Sequence, residues 1–381
     1  MSATASVDLA PLLGVLAVGA ALALVPLAWF WRRRRGDGAA LRLQAFAWFV
    51  LALTFDLVLL GAFTRLSDSG LGCPDWPGCY GHASPVGASP HIAAAEAALP
   101  TGAVTTTKAW VEMLHRYAAT AIGALVVVLA GLAIHASRRS GGRIGWGLAV
   151  FTLLWICLQG AFGALSVTLR LYPAIVSLHL LGGMGLLALL AVQGERYAPR
   201  RLELAPGLRA GLVAVAVLTL VQVALGAWVS SNYAVLACSD FPTCQGAWWP
   251  EMDAAQGFAL RRPLGVGADG YLPFAALTAI HFAHRLGAFV LVAAIAAFAW
   301  RLRAAGRSAQ PWALALLGLA AWQVASGLGN VLLGWPLAAA VAHTAGAAAL
   351  VIVLSLLLAR SAPARAARAQ VDAGGRPALA S

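Results

Sequence analysis

The sequence predicts an all-α polytopic membrane protein: two tandem, parallel four-helix transmembrane bundles, related by a pseudo-twofold axis along the membrane normal, plus one extra N-terminal span. Three observations carry that prediction. Of the 381 residues 61% are hydrophobic and 10% charged, with mean hydropathy +0.81, too apolar for a soluble core to hide. Arginine clusters follow every second apolar run, and the second half of the chain copies the first.

Runs of roughly 20 apolar residues span ~30 Å of hydrocarbon. They fall near 9–31, 43–64, 110–136, 144–168, 173–194, 209–230, 275–300, 311–333 and 337–359. The first run has no basic region before it and Arg32 to Arg35 after it, the reverse of a secretory signal peptide, so it reads as an uncleaved anchor with its N-terminus outside. Residues 1–40 hold this anchor and a basic loop, 41–205 the N-terminal four-helix half and 206–360 the C-terminal half. Residues 361–381, rich in Ala, Arg and Gly without apolar period, read as a disordered cytoplasmic tail.

A net charge of +12 would point to nucleic acid in a soluble protein. Here the positive residues sit at Arg32 to Arg35, Arg138 to Arg143, Arg196 to Arg209, Arg301 to Arg307 and Arg360 to Arg368, which sets topology by the positive-inside rule. All five clusters are expected on the cytoplasmic side, with membrane lipid as the main partner and no nucleic acid. No Arg- and Ser-rich transit peptide is present, which favours a bacterial inner (cytoplasmic) membrane.

The repeat is explicit. "GAFTRLSDSGLGCPDWPGCYG" at 61–81 aligns without gaps onto "GAWVSSNYAVLACSDFPTCQG" at 226–246, matching Gly61 to Gly226, Cys73 to Cys238, Cys79 to Cys244 and Gly81 to Gly246. Further on, "EMLHRYAATAIG" at 112–123 matches "HFAHRLGAFVLV" at 281–292, and His179 corresponds to His343. An even number of spans per half keeps the orientation, unlike the inverted repeats that favour alternating-access transport. Gln159 and Gly163, Gln222 and Gly226, and Gln323 and Gly327 share one spacing, a weak signal because small residues are how membrane helices pack.

Intramembrane histidines usually face a bundle interior and mark function. His115, His179 and His343 lie about six residues inside the outer ends of their spans, and His284 slightly deeper, some ~9–13 Å below that surface. Each alone reads equally as a hydrogen bond to a neighbouring helix. Four equivalents on alternate helices, two per half, suit axial ligation of heme iron. Zinc or copper would need further ligands, of which only His281 offers one.

Glu112 precedes His115 by one turn, and its counterpart before His284 is His281. A buried carboxylate beside a heme edge takes a proton or stabilises a developing cation, whereas imidazole suits a structural or electron-transfer site. The bland alternative for Glu112 is an ion pair with Arg116 or Lys108. Arg116 and Arg285 are candidate bidentate partners for heme propionates, or else snorkel to water. Asp56, midway along its span, is either packed against polar neighbours or part of a proton path.

Cys73 to Cys79 and Cys238 to Cys244 fall in the external loops, where disulfides persist. Closing so short a ring gives roughly 2.4 kcal/mol in the chain-entropy model, less where prolines already stiffen it. Each loop then lids the outer mouth of a bundle, with Trp76, Trp248 and Trp249 at the interface. Cys157, alone in a span, reads as a small buried hydrophobe.

"GAFTRLSDSGLGCPDWPGCYG", "EMLHR", "SLHLLGG", "HFAHRLGA" and "VAHTAGA", in this order over about residues 43–359, resemble the heme A synthase family. The resemblance implies an eight-helix core that oxidises a ring methyl of heme O to a formyl group by successive hydroxylations, giving heme A. It implies that His115 and His179 ligate the substrate heme, that His284 and His343 ligate a resident heme b through which electrons leave, and that Glu112 is the catalytic carboxylate. Expected partners are heme O synthase, an unidentified electron acceptor and the cytochrome oxidase assembly machinery. Gly- and Ala-rich spans serve homo-oligomers as well as packing within one chain. The rival reading, a two-heme membrane electron-transfer cytochrome, leaves Glu112 without a role.

Overall fold

The computed structural model describes residues 9–260 and 272–361. The tail expected to be disordered lies, beyond Ser361, outside the described residues. The elements in chain order are α1 (Ala10–Arg33), α2 (Ala39–Leu66), α3 (Ser89–Ala98), α4 (Thr106–Arg139), α5 (Gly147–Thr168), α6 (Pro173–Tyr197), α7 (Pro206–Ser231), a 3-10 turn (Ala234–Leu236), α8 (Ala254–Gly257), α9 (Phe274–Arg303), α10 (Gln310–Leu332) and α11 (Leu337–Arg360). All but α3 and α8 are long and apolar enough to cross a membrane, giving nine among the described residues. No strand forms among those residues, so the all-helical, nine-span expectation holds.

Local chemistry sets the ends. Proline occupies the first turn of α1, α3, α6, α7 and α10, where its missing N–H costs nothing. Arginines fill the last turns of α1, α4, α9 and α11, beside carbonyls that lack helical partners. The Thr105 hydroxyl caps α4 by accepting the Lys108 N–H at 3.3 Å.

Packing follows from the apolar stripes. α2, α4, α5 and α6 neighbour one another in a closed ring, α7, α9, α10 and α11 do the same, and α6 and α11 pack against each other between them. Phe46, Leu125, Leu129, Leu187 and Leu190 fill the first interior, and Leu212, Ile295, Leu302, Leu316 and Leu357 the second. α1 packs on α4: a Cβ added to Gly19 would stand 2.4 Å from Thr120, so only glycine permits the approach. Val15 is buried in one cluster with Cys73, Cys79 and Met113, so α1 braces the first loop.

The arginine-rich ends gather on one face. Arg360 Nη2 meets Glu195 Oε2 at 3.0 Å, tying α11 to α6, and Arg42 donates to the carbonyls of Arg34, Arg35 and Asp37. The opposite ends carry both cysteine loops.

Candidate functional site: two histidine pairs under two disulfide loops

The helices bearing histidine sit on the diagonals of the two rings. His115 (α4) and His179 (α6) face each other across the first, close enough to interact electrostatically, and His284 (α9) and His343 (α11) across the second. The imidazole centroids of His284 and His343 are 6.5 Å apart, with ring planes at 80°. A metal bound between two imidazoles at ~2 Å from each nitrogen requires a centroid separation of about 6 Å, so the second pair fits one iron. No cluster of three or more His, Cys, Asp or Glu able to hold a metal occurs among the described residues, so this donor set suits a heme, whose porphyrin supplies the other ligands.

The helices without histidine supply glycine instead. A Cβ on Gly61 (α2) would lie 2.9 Å from His115, one on Gly226 (α7) 3.0 Å from His284, and one on Gly327 (α10) 3.3 Å from His343; at Gly163 (α5) the gap to His179 is an ordinary 3.5 Å. The glutamines four residues earlier press against glycines three residues past each histidine: Gln159 on Gly182, Gln222 on Gly287 and Gln323 on Gly346. The spacing that reads in sequence as generic helix packing is thus the cradle of the imidazoles. Only His115 lacks the glutamine, since Leu57 precedes Gly61 by four residues. Gln222 Nε2 lies 3.0 Å from His284 Nδ1 and 2.9 Å from its carbonyl, and Ser326 Oγ lies 2.9 Å from His343 Nδ1.

Both loops close as the cysteine spacing predicts, with disulfides Cys73–Cys79 and Cys238–Cys244. Each contains a two-residue turn between bridged residues, Cys79 to His82 and Cys244 to Ala247. The turn needs left-handed backbone at both central positions, which is why glycine recurs: Tyr80–Gly81 have φ 48° and 73°, Gln245–Gly246 57° and 72°. The carboxylates of Asp75 and Asp240, whose part the sequence reading missed, accept the amide hydrogens of those four residues. The Thr243 hydroxyl at 2.5 Å and the two amides hold the Asp240 carboxyl down to about 2.

Beneath the loops the repeat is kept with one change. Glu112 Oε2 accepts the Cys73 N–H at 2.8 Å, and His281 Nδ1 accepts the Cys238 N–H at 3.3 Å. Arg116 donates to the carbonyls of Asp75, Pro77 and Gly78, and Arg285 to those of Thr243 and Cys238. Both guanidinium groups offered as propionate partners are therefore engaged with loop carbonyls. Glu112, 3% exposed, also pairs with Arg116, 9% exposed. Lys108 pairs with Asp68 at 3.3 Å instead.

Two lesser expectations are corrected. Cys157 is exposed, not buried. Gln159 takes the inward face of α5, and at 100° per residue a position two earlier points away from it. Asp56 stands exposed on α2, which removes the buried packing offered as one of its two readings.

Comparison with known proteins agrees with this geometry. Residues 44–355 match the family described as cytochrome oxidase assembly protein. The chain is 39% identical to the heme A synthase of Shewanella oneidensis over 80% of its length and 92% of that relative. It is 34% identical to that of Symbiobacterium thermophilum over 71% and 79%, and 29% identical to that of Halalkalibacterium halodurans over 65% and 72%. With two pairs of opposed histidines under two disulfide loops and a match through nearly the whole bundle, the chain belongs to the heme A synthase family of cytochrome oxidase assembly proteins.

Proposed function

We propose that this chain is a heme A synthase, an oxidoreductase that converts heme O to heme A for cytochrome oxidase assembly, working in a bacterial inner membrane. The observation that carries the reading is the pair of matched histidine couples, of which only one has a buried carboxylate one turn away. Residues 41–205 form the substrate half, where His115 and His179 hold heme O. Residues 206–360 form the half where His284 and His343 hold heme b, and within residues 1–40 the helix α1 braces the first. When bound, heme b supplies an electron exit toward an acceptor.

The two halves are read as tandem bundles about a pseudo-twofold axis along the membrane normal. Arg65 Nη2 donates to the carbonyl of Ser230 at 2.6 Å and the Tyr233 hydroxyl lies 3.3 Å from Asp68, and each is the other's equivalent in the gap-free repeat. Residues beside a twofold axis meet their own equivalents, so these contacts support it. The arginine-rich ends are cytoplasmic and the cysteine loops periplasmic.

Glu112 serves the reaction with acceptor capacity to spare. Arg116 and the backbone N–H groups of Cys73 and Gly72 take three of about four lone-pair sites on the carboxylate, leaving one. That site accepts a proton leaving the substrate, and the charge stabilises positive charge that develops there. Arg116 and Arg285 fix the loops over the two mouths, which excludes water. Heme O synthase is the natural donor, since free heme O is insoluble.

The test is chromatography with mass detection of hemes extracted from the chain after co-expression with a heme O synthase in a host lacking heme A. The formyl heme beside heme b is expected; heme b alone, with heme O present in the membranes, would favour the electron-transfer cytochrome.

A further inference from the structure

We infer that Ser326 is a positioning residue that holds His343 in the one tautomer able to ligate through Nε2, and thereby makes the C-terminal heme the one that stays. The inference rests on the assignment of His343 as a heme ligand.

Ser326 Oγ lies 2.7 Å from the Trp322 carbonyl and 2.9 Å from His343 Nδ1. With the hydroxyl hydrogen on the nearer Trp322 carbonyl, Oγ accepts from Nδ1, and the Gln323 backbone carbonyl also calls for a hydrogen on that nitrogen. Nδ1 therefore carries the ring hydrogen, and Nε2 presents a lone pair toward the interior that His284 faces. Gln323 Nε2 donates to the His343 carbonyl at 2.9 Å, and Gly327 leaves no slack beside the ring, so backbone and imidazole are both fixed. An acceptor on the far nitrogen of a metal-bound histidine also makes the ring a stronger donor.

The first half lacks this device. Ser326 directly precedes Gly327, and the residue before Gly163 is Phe162. The backbone of Gln159 acts on the His179 ring, but Nδ1 is buried with no hydrogen bond of normal geometry. Leu60 and Leu225 occupy the corresponding positions beside His115 and His284. Both rings meet the backbone of the glutamine four residues before the facing glycine, Gln159 for His179 and Gln323 for His343, and the Ser326 hydroxyl is what His343 has in addition. A substrate heme has to leave after oxidation and a resident heme must not, and one hydrogen bond placed on one side separates the two behaviours.

The experiment uses the full chain with its hemes. Ser326→Ala should speed transfer of heme b to excess apomyoglobin at least about tenfold. It should also raise the midpoint potential of that heme, because a weaker donor favours the ferrous state. Ser326→Thr, which keeps the hydroxyl, should restore both values, and Phe162→Ser should slow heme loss from the N-terminal site. A Ser326→Ala protein with unchanged transfer rate and potential would overturn the inference while leaving ligation by His343 intact. Loss of ligation itself is read separately: His343→Ala with an unaltered heme spectrum would overturn the assignment beneath it. Should Ser326→Ala not accumulate, Phe162→Ser decides, and unchanged retention there counts against the inference.

Discussion

The two cysteine loops are built alike and held alike, yet the side chain that receives the first cysteine's amide is a carboxylate in one half and an imidazole in the other. His281 shows that holding the loop needs only an acceptor at this position. The negative charge of Glu112 is therefore surplus to the loop's architecture. It carries a cost, since a buried ion pair must recover the desolvation of both partners, and here Arg116 and Glu112 are both nearly inaccessible. Arg285 likewise donates to loop carbonyls, those of Thr243 and Cys238, and among the described residues it forms no ion pair. A charge that the fold does not require, placed one turn from the proposed heme ligand His115, is where chemistry is expected.

Substitutions that equalise the halves break the comparison most sharply. Glu112→Gln retains the acceptor for Cys73 and removes the charge, and Glu112→His copies the second half. Both should keep the two hemes bound and lower conversion of heme O by roughly 10²–10⁴-fold, the usual span for a lost proton-transfer group. Extracted heme composition measures this directly. Normal heme A yield from either variant would reduce Glu112 to a loop anchor. Glu112→Ala is the less informative change, because it strands the Arg116 charge in a buried site at a cost of about 3–5 kcal/mol.

The glycine cradle sharpens the comparison at a lower amplitude. Gly226→Ala places a methyl 3.0 Å from His284, whereas Gly163→Ala places one at a comfortable 3.5 Å from His179. The first should disturb ring placement at about 1–3 kcal/mol, seen as weakened heme b retention, and the second should be tolerated. Equal retention in the two variants would mean the rings are not held by these contacts.

Much of this was legible beforehand because it is written along the chain. Nine apolar runs, the arginine rhythm and the gap-free repeat specify spans, and the matched histidines specify pairs. Contacts across helices are written nowhere in periodicity. The shared spacing of Gln222 and Gly226 was visible, but its meaning depends on the facing His284 and Gly287. Arg116 and Arg285 follow their histidines in sequence, yet a helix turns 100° between neighbours, which aims them at the loops. Asp75 and Asp240 escaped notice because a carboxylate two residues past a cysteine signals nothing until the turn ahead of it is known to leave two amides unpaired.

The smallest expected effect concerns that turn carboxylate. Asp240 receives the Thr243 hydroxyl and the Gln245 and Gly246 amides, which lowers its folded value to about 2 against ~3.9 for an unperturbed aspartate. A depressed carboxylate contributes stability above the unfolded value and loses it as pH falls through the folded one. The contribution should therefore be complete above about pH 4 and gone below about pH 2. At neutral pH, Asp240→Asn should raise hydrogen exchange of the Gln245 and Gly246 amides while leaving those of Tyr80 and Gly81 unchanged, since Asp75 holds the latter independently. The difference from the parent chain should shrink as pH drops toward 2, because the parent carboxyl becomes neutral as well. Exchange that responds equally in both loops would mean the two turns are coupled through the interface between the halves, where Tyr233 meets Asp68.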